Sequence, residues 1–182
     1  MNAMNTAPQP KAKQVIIYAD GACSPNPGKG GYSAILIGGG KRLEVSGGFR
    51  NTTNNRMELY SVIAGLKSLK QYCLTVTIYS DSKYVVDMYT GGHARKWKAN
   101  RWYRGRKPAK NPDLWDELLT LCDKHKVRFL WIKGHDDNND HPENARCDEL
   151  AVKARQGDNL PVDEGYENPV NIMSYKLTLF DE

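Results

Sequence analysis

The chain has 182 residues, with 26 Lys and Arg against 21 Asp and Glu, a formal net charge of +5. This length suggests one domain with room for a substantial core, and no apolar stretch is long enough to span a membrane. Residues 1–13 lack the apolar run of a signal peptide, and the four cysteines show no CxxC pairing. We therefore expect a cytoplasmic protein with reduced thiols and a disordered lead-in over residues 1–13.

The first elements in chain order are strands followed by a helix. Residues 14–23 predict a first strand, and residues 31–37 a second. Three glycines at 38–40 suit a hairpin turn into a third strand from about residue 41 to 50. Residues 55–70 then carry apolar side chains at the i, i+3, i+4 and i+7 spacing of an amphipathic helix.

Helices and strands alternate in the second half. The stretch LTVTIYSDS predicts a fourth strand ending at Asp81, KYVVDMY a short helix, and Pro112 the start of another helix. VRFLWIKG predicts a fifth strand and residues 142–155 a last helix, after which residues 156–182 form an acidic, loop-like C-terminal extension. The fold class is therefore α/β: over residues 14–155, a mixed five-stranded sheet flanked by helices, with antiparallel hairpins first and parallel strands later.

The positive charge is concentrated in one segment. Residues 93–110 contain eight Lys or Arg and no acid, whereas the rest of the chain has 18 basic residues against 21 acidic ones. This distribution indicates that one protruding element meets a polyanion.

Four acidic side chains could meet at one edge of the predicted sheet. Asp20 ends the first strand and Asp81 the fourth, so their carboxylates emerge together if these strands are neighbours. Glu58, in the first turn of a helix, and Asp148, in the last helix, could lean over that edge. Converging carboxylates repel one another unless cations intervene. Magnesium suits such oxygen ligands, and two ions can activate water for phosphodiester hydrolysis.

Each acid also has an ordinary structural interpretation. The Asp-Gly step after the first strand is typical of a turn. Glu58 follows Asn55 at capping-box spacing, and Asp81 could cap the helix after it. Asp148 could be a solvated charge on an exposed helix face. No single acid therefore identifies a site.

Five sequence motifs decide between these interpretations. DGACSPNPGKGGYSAIL, TTNNRMEL, IYSDSKYV, WIKGH and HPENARCDELA occur in this order between about Gln14 and Ala154. Together they resemble type 1 ribonuclease H in its bacterial form (ribonuclease HI). The resemblance implies a ribonuclease H-like mixed five-stranded sheet. It also implies an endoribonuclease that hydrolyses the RNA strand of RNA–DNA hybrids with two Mg²⁺ ions, for which Mn²⁺ could substitute, leaving 3′-hydroxyl and 5′-phosphate ends.

The resemblance also assigns catalytic roles. It makes Asp20, Glu58, Asp81 and Asp148 the metal-binding carboxylates. His135, in the KGH motif, would assist proton transfer or product departure, because imidazole titrates near neutrality. The alternative for His135 is a loop histidine with no role. The segment between this histidine and HPEN is the acidic DDNND, which is longer than in most of the family.

The implied substrate contacts fall into two groups. Polar groups near the cut would test for ribose 2′-hydroxyls or hold a DNA phosphate. The residues matching the first role are Cys23, Asn26, Asn54, Asn55 and Glu58, and those matching the second are Thr53 and Asn111, which could equally cap helices. The basic segment would meet the DNA strand through Trp97, Lys98, Arg101, Trp102 and Arg104. Trp97 could equally belong to the core.

Two rival functions follow from the same features. Another nuclease of this fold, of integrase or resolvase type, would also use clustered acids and two metals. A non-catalytic module that only binds hybrids would be expected to have lost at least one of the four acids. All four acids and the family motifs are present, so we expect a monomeric ribonuclease whose partner is the hybrid and not a membrane.

Overall fold

The computed structural model describes residues 13–134 and 140–169. The strands are β1 (Gln14–Cys23), β2 (Gly28–Gly38), β3 (Lys41–Thr52), β4 (Thr75–Ser80), β5 (Tyr103–Arg104), β6 (Lys107–Pro108) and β7 (Lys126–Trp131). The helices are α1 (Asn54–Lys67), α2 (Lys83–Thr90), α3 (His93–Ala99), α4 (Pro112–Cys122), α5 (Pro142–Ala154) and α6 (Glu164–Glu167). In the described part of the chain, no helix is both long and apolar enough to cross a membrane.

The main sheet confirms the predicted mixed architecture. Its five strands run in the order β3-β2-β1-β4-β7. The β1–β2 and β2–β3 pairs are antiparallel, whereas β1–β4 and β4–β7 are parallel. Tyr18 of β1 lies opposite Tyr79 of β4. Asp20 and Asp81 each follow two residues later, so both lie at the same edge of the sheet.

Helices cover both faces of the sheet. On one face, Ile17 and Ala34 form the apolar core with Leu59 of α1 and Trp115 of α4. On the other face, α5 packs against β1, β2 and β3. This arrangement follows from the alternation of side chains along each strand, since successive residues point to opposite faces.

Two glycines allow the helices to approach the sheet closely. A Cβ at Gly21 would lie 2.5 Å from the Glu58 backbone nitrogen at the start of α1. A Cβ at Gly31 would collide with the Ala151 carbonyl oxygen and lie 2.7 Å from the Arg155 nitrogen, both in the last turn of α5. The backbones of α1 and α5 therefore lie directly on the strands that carry the candidate site.

The sequence analysis left some elements unassigned. The basic segment contains α3 and a small β5–β6 ribbon, and residues 163–168, expected to be loop, include the short helix α6. Strand β2 also begins at Gly28, three residues earlier than predicted. The elements α3, β5, β6 and α6 are too short to show a periodic apolar pattern. The residues before Lys13 and after Pro169 lie outside the described ranges.

We expect Gly31→Ala to destabilise the protein by about 1–3 kcal/mol or more, because backbone atoms of α5 cannot yield as a side chain would. Gly157→Ala is the matched control, since its added Cβ would meet only the flexible Leu160 side chain at 3.1 Å and a carbonyl at 3.5 Å. Urea unfolding would measure both variants. Equal stabilities of the two variants would contradict the close packing of α5.

Candidate active site

Three carboxylates converge at the sheet edge. Asp20, Glu58 and Asp81 each offer an oxygen atom within 4.8 Å of the others. Asp20 and Glu58 are buried and Asp81 is half-buried. The convergence predicted from the sequence is therefore present for these three acids. Asp148 lies outside this group, half-buried on α5, yet its charge acts on Asp20.

Burial and mutual repulsion make this a strained set of charges. The pKa of Asp20 is raised to about 8, mainly by its burial and next by the charges of Asp81 and Asp148. The hydrogen bond that Asp20 accepts from the Gly21 N–H opposes this rise. The pKa of Glu58 is raised well above its ordinary value, mainly by burial and next by the charges of Asp20 and Asp81. Without a cation, the site therefore favours the protonated forms of these two acids.

Each carboxylate has a local anchor. The Gly21 N–H donates to Asp20 Oδ1 at 2.7 Å, and Asn54 Nδ2 donates to Glu58 Oε1 at 3.3 Å. Beside Asp81, Trp131 Nε1 donates to its backbone oxygen at 2.9 Å, and the buried Asn144 places Nδ2 3.5 Å from its Oδ2. The sequence analysis did not single out Trp131 or Asn144.

The capping alternatives for Glu58 and Asp81 are wrong. The N-cap of α1 is Thr53, whose side chain accepts from the Arg56 N–H, so Glu58 forms no capping box with Asn55. The N-cap of α2 is Ser82, whose hydroxyl accepts from the Val85 N–H. Neither Glu58 nor Asp81 is therefore the N-cap of the adjoining helix.

The donor set fits a hard divalent cation. Every candidate ligand atom is a carboxylate oxygen, which magnesium and calcium prefer. Glu58 Oε2 is buried and, among the described residues, has no hydrogen-bond partner. Such an orphaned buried acceptor calls for a cation or an ordered water.

A buried ion network lies under the first turn of α1, and the sequence analysis missed it. Arg56 is 2% exposed and pairs with Asp113 and with the fully buried Asp163. Burial alone would lower the pKa of Arg56, but hydrogen bonds to these two carboxylates raise it above its ordinary value. One signal was available, because Arg56 precedes Leu59 by three residues and so lies near the apolar stripe of the helix.

The residues expected to test the ribose lie beside the carboxylates. The Asn54 N–H donates to Asn26 Oδ1 at 3.1 Å, which joins the loop after β1 to the start of α1. Cys23 Sγ lies 3.2 Å from the Pro25 carbonyl oxygen and 3.5 Å from that of Thr52. The side chains of Asn26 and Asn55 are exposed. Cys23, Asn26, Asn54 and Asn55 thus form the rim of the candidate site, and its exposed side chains can be reached by a ligand from solvent.

The two positions expected to hold a phosphate differ in their capping. Thr53 caps α1 through its side chain, as its structural alternative required. Asn111 occupies the N-cap position of α4 with a left-handed φ of 55°, but it makes no side-chain cap. Its Nδ2 donates instead to the Tyr84 hydroxyl at 3.2 Å. The capping alternative for the Asn111 side chain is therefore wrong.

The basic segment is anchored by its tryptophans. Trp97 and Trp102 are half-buried against the apolar core, and Trp97 meets Trp115 edge-on at 6.4 Å. Lys98 Nζ pairs with Asp116 Oδ1 at 3.0 Å. Arg101 and Arg104 are exposed. The arginines are therefore more available to a polyanion than Lys98, and core packing accounts for part of each tryptophan. His135 lies outside the described residues.

Known proteins similar in sequence to this chain point to one family. The family model described as RNase H matches residues 12–156. A ribonuclease H from Rippkaea orientalis (strain PCC 8801 / RF-1) is 57% identical over 166 residues, which is 91% of this chain and 97% of the relative.

Solved structures show the same fold. LC9-RNase H1, described as a type 1 RNase H with the type 2 active-site motif, superposes with a TM-score of 0.71 at 29% identity, covering 93% of this chain and 86% of that one. LC11-RNase H1 in complex with an RNA/DNA hybrid superposes with a TM-score of 0.59 at 24% identity, covering 78% and 96%. With its sheet order, its acidic edge and these matches, the chain belongs to the ribonuclease H family.

Proposed function

We infer that this protein is an endoribonuclease that hydrolyses the RNA strand of RNA–DNA hybrids, leaving 3′-hydroxyl and 5′-phosphate ends. The observation that carries this inference is the cluster of Asp20, Glu58 and Asp81, two of them buried, at the sheet edge of a ribonuclease H chain. Monomeric state and cytoplasmic location remain predictions from the sequence.

Members of this family generally use a divalent metal. We propose that Asp20, Glu58, Asp81 and Asp148 would hold two Mg²⁺ ions here, for which Mn²⁺ could substitute. When bound, such ions lower the pKa of a water nucleophile and stabilise the leaving oxygen. The orphaned Glu58 Oε2 supports this assignment.

The protein's own contribution is a rigid, partly desolvated set of acids. Because the pKa of Asp20 is about 8 without a cation, cation binding near neutral pH should release a proton. Because the sheet and α1 fix the carboxylates in advance, little reorganisation is required when charge develops at the phosphate.

Recognition of the hybrid would use the rim beside the carboxylates. Cys23, Asn26, Asn54 and Asn55 would test for ribose 2′-hydroxyls, which donate and accept hydrogen bonds. Thr53 and Asn111 would hold a phosphate of the DNA strand. The exposed Arg101 and Arg104 would meet further phosphates, and Trp97, Trp102 and Lys98 would add contacts from their outer faces.

One assay separates this function from its rivals. The protein is incubated with Mg²⁺ and labelled hybrid, duplex DNA, duplex RNA or single-stranded RNA. Cleavage restricted to the RNA of the hybrid is the expected result. Equal cutting of duplex DNA would instead indicate a nuclease of integrase or resolvase type, and binding without cleavage a non-catalytic module.

Asp20→Asn should abolish most activity while the fold stays intact. The substitution weakens cation binding, which should lower kcat by several orders of magnitude. It also removes one charge from a repelling cluster, so thermal stability should be unchanged or higher. Asp87→Asn, at an exposed position on α2, is the control. Near-normal turnover by folded Asp20→Asn protein would refute the metal assignment.

The same variant predicts a pH dependence of stability in the metal-free protein. The folded-state pKa of Asp20 is about 8 against an ordinary 3.8, so between these values the folded state holds more protons than the unfolded state. The wild type should therefore lose stability relative to Asp20→Asn as the pH rises from about 4 to about 8. Urea unfolding in EDTA measures this difference, and parallel pH curves would contradict it.

Arg101→Ala with Arg104→Ala should raise KM and leave kcat nearly unchanged, because both arginines would bind ground and transition states alike. Each lost phosphate contact should reduce the slope of log affinity against log salt by about one. The control is Lys41→Ala with Lys70→Ala, two exposed lysines in the β2–β3 hairpin and beyond the C-terminal end of α1. An unchanged salt slope in the arginine variant would exclude this role.

His135→Ala should lower kcat by about ten- to a thousandfold, less than loss of an acid, because it would remove only proton transfer. Mg²⁺ affinity, measured by calorimetry, should stay at the wild-type value. A variant with full activity would show that His135 is a loop residue with no role.

A further inference from the structure

Arg56 makes two paired contacts beneath the first turn of α1. Its Nε and Nη2 atoms donate to the two carboxylate oxygens of Asp163, both at 2.7 Å. Its Nη1 and Nη2 atoms donate to the two oxygens of Asp113 at 3.0 and 2.7 Å. Planar pairs of this kind fix both partners in direction as well as distance. The guanidinium is therefore held rigidly.

Asp163 is the centre of this network and comes from the C-terminal segment. Besides Arg56, it accepts from the Thr52 hydroxyl at 2.6 Å and from the Tyr60 hydroxyl at 3.2 Å. The segment that carries it also attaches to the strand before α1, since the Arg50 N–H donates to the Pro161 carbonyl oxygen at 2.9 Å. Residues far apart in the chain thus converge on one carboxylate.

These contacts bracket the rim of the candidate site. Thr52 and Arg56 lie on either side of residues 53–55, and both bind the same Asp163 carboxylate. Within the bracket, Thr53 accepts from the Arg56 N–H. Asn54 connects this segment, residues 52–56, to the candidate site, because its side chain donates to Glu58 and its N–H donates to Asn26. A shift at Asp163 would therefore reach both Glu58 and the ribose-testing asparagines.

The C-terminal segment packs tightly against the Arg56 network. A Cβ added at Gly165 would collide with Asp113 Oδ2 and Arg56 Nη2. A side chain at this position would therefore have no space beside the ion network. The C-terminal segment is seated directly on the charged groups.

We propose that the C-terminal segment 158–169 is a positioning element of the active site. Through Asp163 it fixes the start of α1. Glu58 therefore stays aligned with Asp20 and Asp81, and the two asparagines of the rim, Asn54 and Asn55, stay aligned with the hybrid. Asp163 touches no reacting group and is a positioning residue. This inference rests on the proposed function for the meaning of Glu58 and the asparagines.

The test compares Asp163→Asn with Glu167→Gln in the full chain. Asp163→Asn keeps the shape but turns an amide N–H₂ toward donors of Arg56 or Thr52. Glu167 lies on the same segment, and among the described residues its carboxylate pairs with the exposed Arg50, at 2.8 Å, so Glu167→Gln weakens a contact of this segment that does not involve Asp163 or Arg56. Circular dichroism establishes a temperature at which both variants are folded.

Three quantities are measured at that temperature: Mg²⁺ affinity of the free protein by calorimetry, kcat and KM. Asp163→Asn should lose about tenfold or more in Mg²⁺ affinity and raise KM, as outer residues that orient ligands do. Glu167→Gln should match the wild type in all three. An Asp163→Asn protein that is less stable but unchanged in all three quantities would overturn the proposal, because the network would then be purely structural.

Two further variants keep the test decisive. If Asp163→Asn does not fold, the same measurements are made on Thr52→Val, which removes one hydrogen bond to Asp163 and no charge. A weaker Mg²⁺ affinity and a raised KM in this variant would support the proposal, and unchanged values would overturn it. Asp20→Asn tests the proposed function separately. If Asp20→Asn binds Mg²⁺ as well as the wild type, the metal assignment fails, and a raised KM in Asp163→Asn but not in Glu167→Gln still decides the positioning role.

Discussion

Repulsion among the carboxylates of Asp20 on β1, Asp81 directly after β4 and Glu58 on α1 is the constraint on which the rest of the structure depends. Asp20, Glu58 and Asp81 offer oxygens within 4.8 Å of one another while two of the three are buried. A chain left to itself would separate them. They stay together because Asp20 lies on β1 and Asp81 directly follows β4, the parallel partner of β1, and because Gly21 lets α1 lie against β1. The stability of the sheet and core holds the charges in place.

The Arg56 network is the counterpart of this cluster on the same helix. One side of the start of α1 faces the mutually repelling carboxylates of the site, and the other carries a guanidinium bound by two carboxylates. Buried pairs of this kind contribute little net stability but are costly to break. The network therefore restricts where α1 can begin more than it strengthens the fold, which is the property that a site of repelling acids requires.

The sequence predicted the sheet edge well because local pattern and topology agree there. Two apolar strands, one containing Asp20 and the other followed by Asp81, and a helix carrying Glu58 place those acids without knowledge of distant contacts. Asp163 was not predictable in the same way. It lies in a stretch with no periodicity and bonds to Arg56, 107 positions earlier, so only the folded chain reveals the pair. Capping was considered for Glu58 and Asp81, although Thr53 and Ser82 cap these helices, because several neighbouring polar residues compete for each helix start.

The half-buried tryptophans of the basic segment have a consequence for how this family can diversify. Trp97 and Trp102 pack against the core, whereas Arg101 and Arg104 remain in solvent. Anchoring and charge are thus carried by different residues on the same short stretch. Substitutions of the exposed arginines could change the number of cations, and with it the salt dependence of the polyanion binding proposed for this segment, without disturbing its attachment. Such a surface could be retuned to a different ionic strength in single steps while the body of the protein stays the same.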